Sequence, residues 1–216
     1  MIEPTFERGA VRLYRGDCRV ILRELEPESF SGCVADFPYG IEWKSGWTAD
    51  GRPIAGDDSL ALRDFVLEWS GTSLPVACFG SWKLPPPPGA KGRIVWDKGH
   101  AVGMGDLSFP WFSNAEDCYL LGDGWVGERR DSVIRCRRAY PGTSEHPHEK
   151  PVELLSRIME TMPDGAIIDP CAGSGSVGIA ALRSGRPYVG IEIDEKYFQI
   201  MRARIDAELA QGKLFE

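Results

Sequence analysis

A glycine-rich loop in the last quarter of the chain, residues 173–178, spells G-x-G-x-x-G. The apolar run 166–168 before it is typical of a buried strand, and the apolar positions at 177–182 suit a helix. A further strand is predicted at 188–191 and a final helix over 197–205. These segments predict a β-α-β-α unit, which belongs in a parallel sheet flanked by helices.

Two neighbours of the loop decide which ligand it suits. Taken alone, the motif with Glu192 at the end of the next strand predicts a dinucleotide such as NAD, because the glycines admit phosphates and the acid accepts ribose hydroxyls. However, Asp169 stands at the tip of the preceding strand, where its carboxylate would repel a pyrophosphate and suits a cationic ligand. Residues 174–216 are also too few for the remaining strands of a dinucleotide fold. The rest of the sheet must precede the loop, so the order of elements is circularly permuted.

The first two thirds of the chain supply the missing elements. Apolar runs and alternation predict strands at 11–14, 33–35, 76–79, 93–96, 118–121 and 132–136. Helical spacing predicts helices at 20–25, 62–69 and 155–162. Residues 1–216 are therefore expected to form a single α/β domain with a Rossmann-like, mostly parallel sheet. Residues 99–145, which are poor in helix signals, are expected to form a small insertion that faces a partner.

Composition excludes several other classes of protein. No apolar run approaches the roughly 18 residues that span a bilayer. The first residues lack the pattern of a signal peptide, so a cytoplasmic protein without a membrane partner is expected. The six cysteines contain no C-x-x-C pair and are accompanied by only three histidines, which disfavours a zinc site or a disulfide framework.

Charge restricts how the chain could bind nucleic acid. The net charge of -7 disfavours general binding to polyanions, because such binding depends on clustered lysine and arginine. One stretch within 99–145 is basic all the same. It contains the candidate DNA-binding residues Arg129, Arg130, Arg137 and Arg138. Such a run is usually a solvated face, but in a nucleic-acid enzyme it would contact phosphates.

The tetrapeptide Asp36-Phe37-Pro38-Tyr39 stands at the tip of the strand predicted at 33–35. Together with the glycine loop far behind it in the chain, it resembles the catalytic motif of the β-class S-adenosylmethionine-dependent amino DNA methyltransferases. That family places the catalytic motif first, target recognition in the centre and the cofactor motifs last. Further matching segments extend over nearly the whole chain: Gly16-Asp17-Cys18, Trp96-Asp97-Lys98, His146 to Pro151, Asp169 to Gly175, and Glu192. The sequence departs from the family at Phe37, where proline is usual.

The resemblance implies that this tetrapeptide holds an amine. The exocyclic amine of a base is a poor nucleophile because its lone pair is delocalised into the ring, so it must be held in line with the methyl group. Asp36 and the backbone carbonyl of Phe37 are expected to accept its two N–H bonds. Pro38 is expected to stiffen the loop, and Tyr39 to stack on a base flipped out of double-stranded DNA. The aspartate favours N6 of adenine, and N4 of cytosine is the alternative.

The resemblance also assigns a cofactor, S-adenosylmethionine, to the glycine loop. The methionine part is expected to lie against Asp169, Pro170, Cys171, Ala172, Gly173, Ser174 and Gly175. Glu192 is expected to accept the ribose hydroxyls, and Ile193 either packs on the adenine or belongs to the core. Asp17 either reaches the adenine amine or caps a helix. Lys150 either pairs with the methionine carboxylate or is an exposed lysine.

Other functions stay open at the level of the sequence. RNA or a protein amide could be the substrate, although such enzymes usually carry the cofactor motif first. Phe37 leaves open a DNA-binding relative that has lost catalysis, and residues 173–178 leave open an NAD-dependent oxidoreductase. Members of the family are often dimers, so the resemblance is compatible with a homodimer, and it implies a role in restriction-modification.

Overall fold

The computed structural model describes residues 2–38, 59–99, 108, 110–111, 113–137 and 149–212. The strands in these residues form one nine-stranded sheet. In chain order they are β1 (Phe6–Arg8), β2 (Val11–Arg15), β3 (Gly32–Ala35), β4 (Val76–Gly80), β5 (Gly92–Asp97), β6 (Ala115–Leu121), β7 (Val133–Arg135), β8 (Ile167–Asp169) and β9 (Tyr188–Glu192). Their order across the sheet is β1-β2-β9-β8-β3-β4-β6-β5-β7.

Helices connect many of these strands. They are α1 (Cys18–Ile21), α2 (Ala61–Ser70), α3 (Val152–Met159), α4 (Ser176–Arg183) and α5 (Glu195–Gly212), with 3-10 turns at Leu22–Glu24 and Pro27–Ser29. Apolar side chains are buried on both faces of the sheet, since Val34 belongs to one buried cluster and its neighbours Cys33 and Ala35 belong to another. No helix in the described parts of the chain is long and apolar enough to cross a membrane.

The structure confirms the predicted α/β fold and each predicted strand and helix, with changes in their bounds. The helix predicted at 20–25 is the short α1 followed by a 3-10 turn, and the one predicted at 155–162 begins and ends three residues earlier, as α3. The short edge strand β1 was not predicted. β6 and β7 lie within 99–145 and are hydrogen-bonded into the sheet, so part of this segment belongs to the central architecture. A target-recognition role for 99–145 stays a prediction.

The topology of the sheet marks one edge as the place for a site. β2, β9, β8, β3 and β4 run parallel, so their carboxyl ends lie at the same edge. From β8 the chain moves to β9 on one side, whereas from β3 it moves to β4 on the other. The direction of winding therefore reverses between the neighbours β8 and β3. Open α/β sheets bind ligands in the crevice at such a switch point.

Candidate active site

Three carboxylates meet at this switch point. Asp169 ends β8, Asp36 follows β3, and Glu192 ends β9. Asp169 is only 2% exposed, and its Oδ1 accepts a hydrogen bond from the N–H of Cys171 at 3.1 Å. Burial raises the pKa of Asp169 well above its usual value in spite of that bond, and the charges of Glu192 and Asp36 raise it further. A positively charged ligand would favour the ionised forms of these carboxyl groups, so the crevice suits a cationic ligand.

The glycine loop leaves open space beside these carboxylates. Gly173 has a φ of +50°, and no atom lies within 4 Å of the position that a Cβ would take, so a ligand can approach its backbone. Gly175, the N-cap of α4, has a φ of +84°, and a Cβ there would lie 2.8 Å from Cγ of Met201. Gly178 serves packing instead, because a Cβ would lie 2.6 Å from the ring of Tyr188.

Gly175→Ala tests whether this backbone shape is required. We expect the free energy of unfolding in urea to fall by about 2–4 kcal/mol, since the variant combines a strained φ with a clash against Met201. Gly185→Ala is the matched control, because Gly185 has a φ of +69° with nothing within 4 Å of a Cβ. Equal losses in the two variants would show that the close contact with Met201 contributes nothing.

Glu192 is held by backbone N–H groups. Its Oε2 accepts a hydrogen bond from Gly173 at 2.7 Å, and its Oε1 accepts one from Asp194 at 2.8 Å. Burial raises the pKa of Glu192, and these two hydrogen bonds oppose the rise. Because a carboxylate offers about four acceptor positions, Glu192 retains capacity for hydroxyl donors such as those of a ribose.

Asp36 is ion-paired with a buried lysine. Nζ of Lys150 lies 2.5 Å from Oδ2 of Asp36 and 2.9 Å from Oε1 of Glu116, and Nζ of Lys98 lies 2.7 Å from Oε2 of Glu116. Burial alone would lower the pKa of Lys150, but the two carboxylates raise it above its ordinary value. Burial alone would raise the pKa of Glu116, but the two lysines lower it to about 2. Lys150 is 7% exposed, so the alternative of an exposed lysine is wrong.

A second polar cluster, which sequence analysis did not find, ties the glycine loop to α5. The guanidinium of Arg204 donates to the carbonyl of Ser174 at 2.8 Å and contacts Glu149, and the hydroxyl of Ser176 donates to Glu149 at 2.9 Å. Because Glu149 directly precedes Lys150, the cluster joins the loop to the lysine segment. One feature of the sequence does point to this cluster. Arg204 follows the buried Met201 by three residues, so it places a charged side chain on the apolar side of a helix, where such a group needs a partner.

Other predicted site residues have mixed outcomes. Asp17 caps α1, accepting from the N–H of Arg19 at 2.9 Å, so the capping alternative is confirmed. The hydrogen bond from the side chain of Arg19 lowers the pKa of Asp17.

Ile193 is 49% exposed at the strand end, which excludes the core alternative. Phe37 is buried and Pro38 is partly buried, whereas Tyr39 lies outside the described residues.

Comparison with known proteins identifies the family. The family model of the N6/N4 methyltransferases, described as DNA methylase, matches residues 93–203. The protein named "Putative methylase YubD" of Escherichia coli (strain K12) is 47% identical over an alignment that covers 91% of this chain and 90% of that protein. The chain belongs to the N6/N4 family of DNA methyltransferases. The resemblance that rested on the tetrapeptide and the glycine loop is confirmed.

Solved structures share the fold of this methyltransferase. PvuII DNA methyltransferase, described as cytosine-N4-specific, superposes with a TM-score of 0.69 at 13% identity, covering 93% of this chain and 88% of that one. The M1.HpyAVI–SAM complex superposes with a TM-score of 0.64 at 17% identity, covering 90% and 99%. Both comparisons confirm the Rossmann-like methyltransferase fold.

The candidate DNA-binding arginines of the methyltransferase differ in their surroundings. Arg129 and Arg137 are exposed. Arg130 is also exposed, but its guanidinium lies 2.5 Å from Oε2 of Glu160. Arg138 lies outside the described residues. Arg129 and Arg137 are therefore the arginines whose contribution to DNA binding can be tested most cleanly.

Proposed function

We propose that this methyltransferase transfers a methyl group from S-adenosylmethionine to the exocyclic amine of a base flipped out of double-stranded DNA. The observation that carries the proposal is the position of Asp36, which follows β3 directly beside β8 and its terminal Asp169. An acceptor for an amine and an acidic site for a cationic cofactor thus lie side by side at the switch point of the sheet.

The residues around the glycine loop fit S-adenosylmethionine. When bound, this cofactor supplies a methyl group carried by a positively charged sulfur. The buried carboxyl group of Asp169 suits that charge, because a nearby cation favours its ionised form, and the open backbone at Gly173 gives the ligand room. We assign residues 169–175 to the methionine part and Glu192 to the ribose hydroxyls, since Glu192 retains acceptor capacity beyond its two backbone bonds.

The amine would be held by two acceptors. We assign one N–H bond to the carboxylate of Asp36 and the other to the main-chain carbonyl of Phe37. Two fixed acceptors determine the direction of the nitrogen lone pair, so the rate gain comes from orientation and electrostatics. The side chain of Phe37 is 3% exposed and packs in the core, so the role that we assign to this residue is a main-chain one. Its main chain precedes Pro38, which favours the extended conformation that proline would also give.

Adenine N6 is the target that we favour, because the tetrapeptide begins with an aspartate; N4 of cytosine is the alternative. Unmethylated DNA treated with the protein and S-adenosylmethionine is digested to nucleosides and analysed by mass spectrometry. We expect N6-methyladenine. N4-methylcytosine alone would overturn the adenine assignment while leaving the methylation of an exocyclic DNA amine in place.

The surface arginines give a separate prediction about DNA binding. Replacing Arg129 and Arg137 with alanine should weaken binding and reduce the slope of log affinity against log salt by about two, since each phosphate contact releases condensed counterions. Fluorescence anisotropy over a salt series measures both quantities. Arg183→Ala is the control, because Arg183 is an exposed arginine of α4 paired with Glu208. A slope that stays unchanged in the double variant would remove these arginines from the DNA interface.

A further inference from the structure

A row of alternating charges runs along the carboxyl edge of the sheet from Asp36. Asp36 follows β3, Glu116 lies in β6, and Lys98 follows β5, while Lys150 reaches between the two carboxylates from the segment before α3. Nζ of Lys150 also lies 4.9 Å above the ring of Phe79 in β4. The order of positive and negative groups is therefore Lys98, Glu116, Lys150 and Asp36, with Asp36 at the end next to the crevice.

Fold stability alone gives little reason for this arrangement. Removing charged groups from water is costly, and well-packed apolar residues often replace buried ion pairs without loss of stability. Lys150 is 7% exposed, and the side chains of Lys98 and Glu116 are each 14% exposed. The row nevertheless ends on the carboxylate that we assign to the target amine. A role in the reaction therefore explains the row of charges better than a role in fold stability does.

We propose that Lys150 and Glu116 are positioning residues for Asp36, Lys150 by fixing the direction of its carboxylate and Glu116 by sharing the lysine's charge. This inference rests on the proposed function. A lysine that donated to Asp36 alone would draw electron density from the carboxylate of Asp36 and weaken that carboxylate as an acceptor. With Glu116 in contact, one ammonium is divided between two carboxylates, and Asp36 keeps acceptor strength for the amine while its rotation is restricted.

The resemblance offers a different role for the same lysine, which is pairing with the methionine carboxylate of the cofactor. The two roles predict different effects of replacing Lys150. A cofactor ligand controls the affinity for S-adenosylmethionine, whereas a positioning residue controls the rate once cofactor and DNA are both bound. The 2.5 Å contact with Asp36 and the 2.9 Å contact with Glu116 favour the positioning role.

The test uses the full chain and the variants Lys150→Met, Lys150→Arg and Glu116→Gln. Calorimetry gives the Kd for S-adenosylmethionine, and rapid quench gives the single-turnover methylation rate at saturating cofactor and DNA. For Lys150→Met we expect a rate loss on the order of 100-fold with a Kd within about twofold of the unmodified protein. Glu116→Gln should lose about 10-fold, and the double variant should be no slower than Lys150→Met, because both residues act through Asp36.

Controls separate positioning from a general loss of structure. Lys91→Met removes an exposed lysine paired with Asp123 and should leave the rate unchanged. Lys150→Arg keeps the charge and should recover part of the rate. Methylammonium added to Lys150→Ala should also raise the rate, which a merely structural defect would not allow. If Lys150→Met does not fold, Glu116→Gln and Lys150→Arg still report on the same row of charges.

A Kd at least about 10-fold higher with a normal rate at saturating cofactor would assign Lys150 to the methionine carboxylate and overturn the inference. A normal rate in both Lys150→Met and Glu116→Gln would overturn it as well. Absence of methyl transfer by the unmodified protein would instead contradict the proposed function, so the two failures are distinguishable.

Discussion

We expect Asp36→Ala to lower the single-turnover rate of methyl transfer by at least about 100-fold, since the variant removes a charged acceptor of the reacting amine. The Kd for S-adenosylmethionine should stay within about twofold, because the cofactor-binding groups that we assign lie on β8, β9 and the glycine loop. Labelled methyl transfer measures the rate, and calorimetry measures the affinity.

The fold should survive this change. Lys150 keeps Glu116 as a partner at 2.9 Å, so Asp36→Ala does not leave a buried cation unpaired. Asp123→Ala, which removes an exposed carboxylate paired with Lys91, is the control and should keep the normal rate. Methyl transfer by Asp36→Ala at the normal rate would show that the amine is held by other groups.

We expect Glu192→Ala to weaken binding of S-adenosylmethionine by about 10- to 100-fold, because a hydrogen bond to a carboxylate contributes roughly 1.5–3 kcal/mol. The substitution removes the acceptor assigned to the ribose and also the group that holds the N–H of Gly173 at 2.7 Å. Calorimetry with the cofactor alone measures the loss without any need for a DNA site.

Glu195→Ala is the matched control for Glu192→Ala. It removes a carboxylate three residues later, at the first turn of α5, where Glu195 pairs with Arg15 at 2.5 Å on the surface. The net charge changes equally in the two variants, but only one touches the crevice. An affinity for S-adenosylmethionine that is unchanged in Glu192→Ala would remove Glu192 from the cofactor site.

The acidic tips of the strands could be predicted from the sequence. A short apolar run followed by an acidic residue marks a strand and its carboxyl end, and in a parallel sheet these ends share an edge. Asp36, Asp169 and Glu192 follow this pattern in the sequence, and the resemblance to the family gives their expected roles. The glycine loop could also be predicted from the sequence, because Gly173 and Gly175 follow a strand and precede a helix.

The polar neighbours of these carboxylates could not be predicted in the same way. Glu116 meets Lys150 only because β6 enters the sheet antiparallel to β4 and β5, and strand order of this kind depends on pairing between distant segments. An alternation of apolar residues reveals a strand but not its neighbours. From the sequence, Lys150 either pairs with the methionine carboxylate or is exposed, whereas in the structure its ammonium contacts Asp36 and Glu116.

The most direct test of the account is transfer of labelled methyl from S-adenosylmethionine by the purified full chain, offered in parallel to unmethylated double-stranded DNA, RNA and protein. We expect label in DNA, on an exocyclic base amine, and loss of that label in Asp36→Ala. Label in RNA or protein alone would contradict the assignment to DNA. Cofactor binding without label in unmethylated genomic DNA, which presents every short target sequence, would contradict methyl transfer to DNA itself.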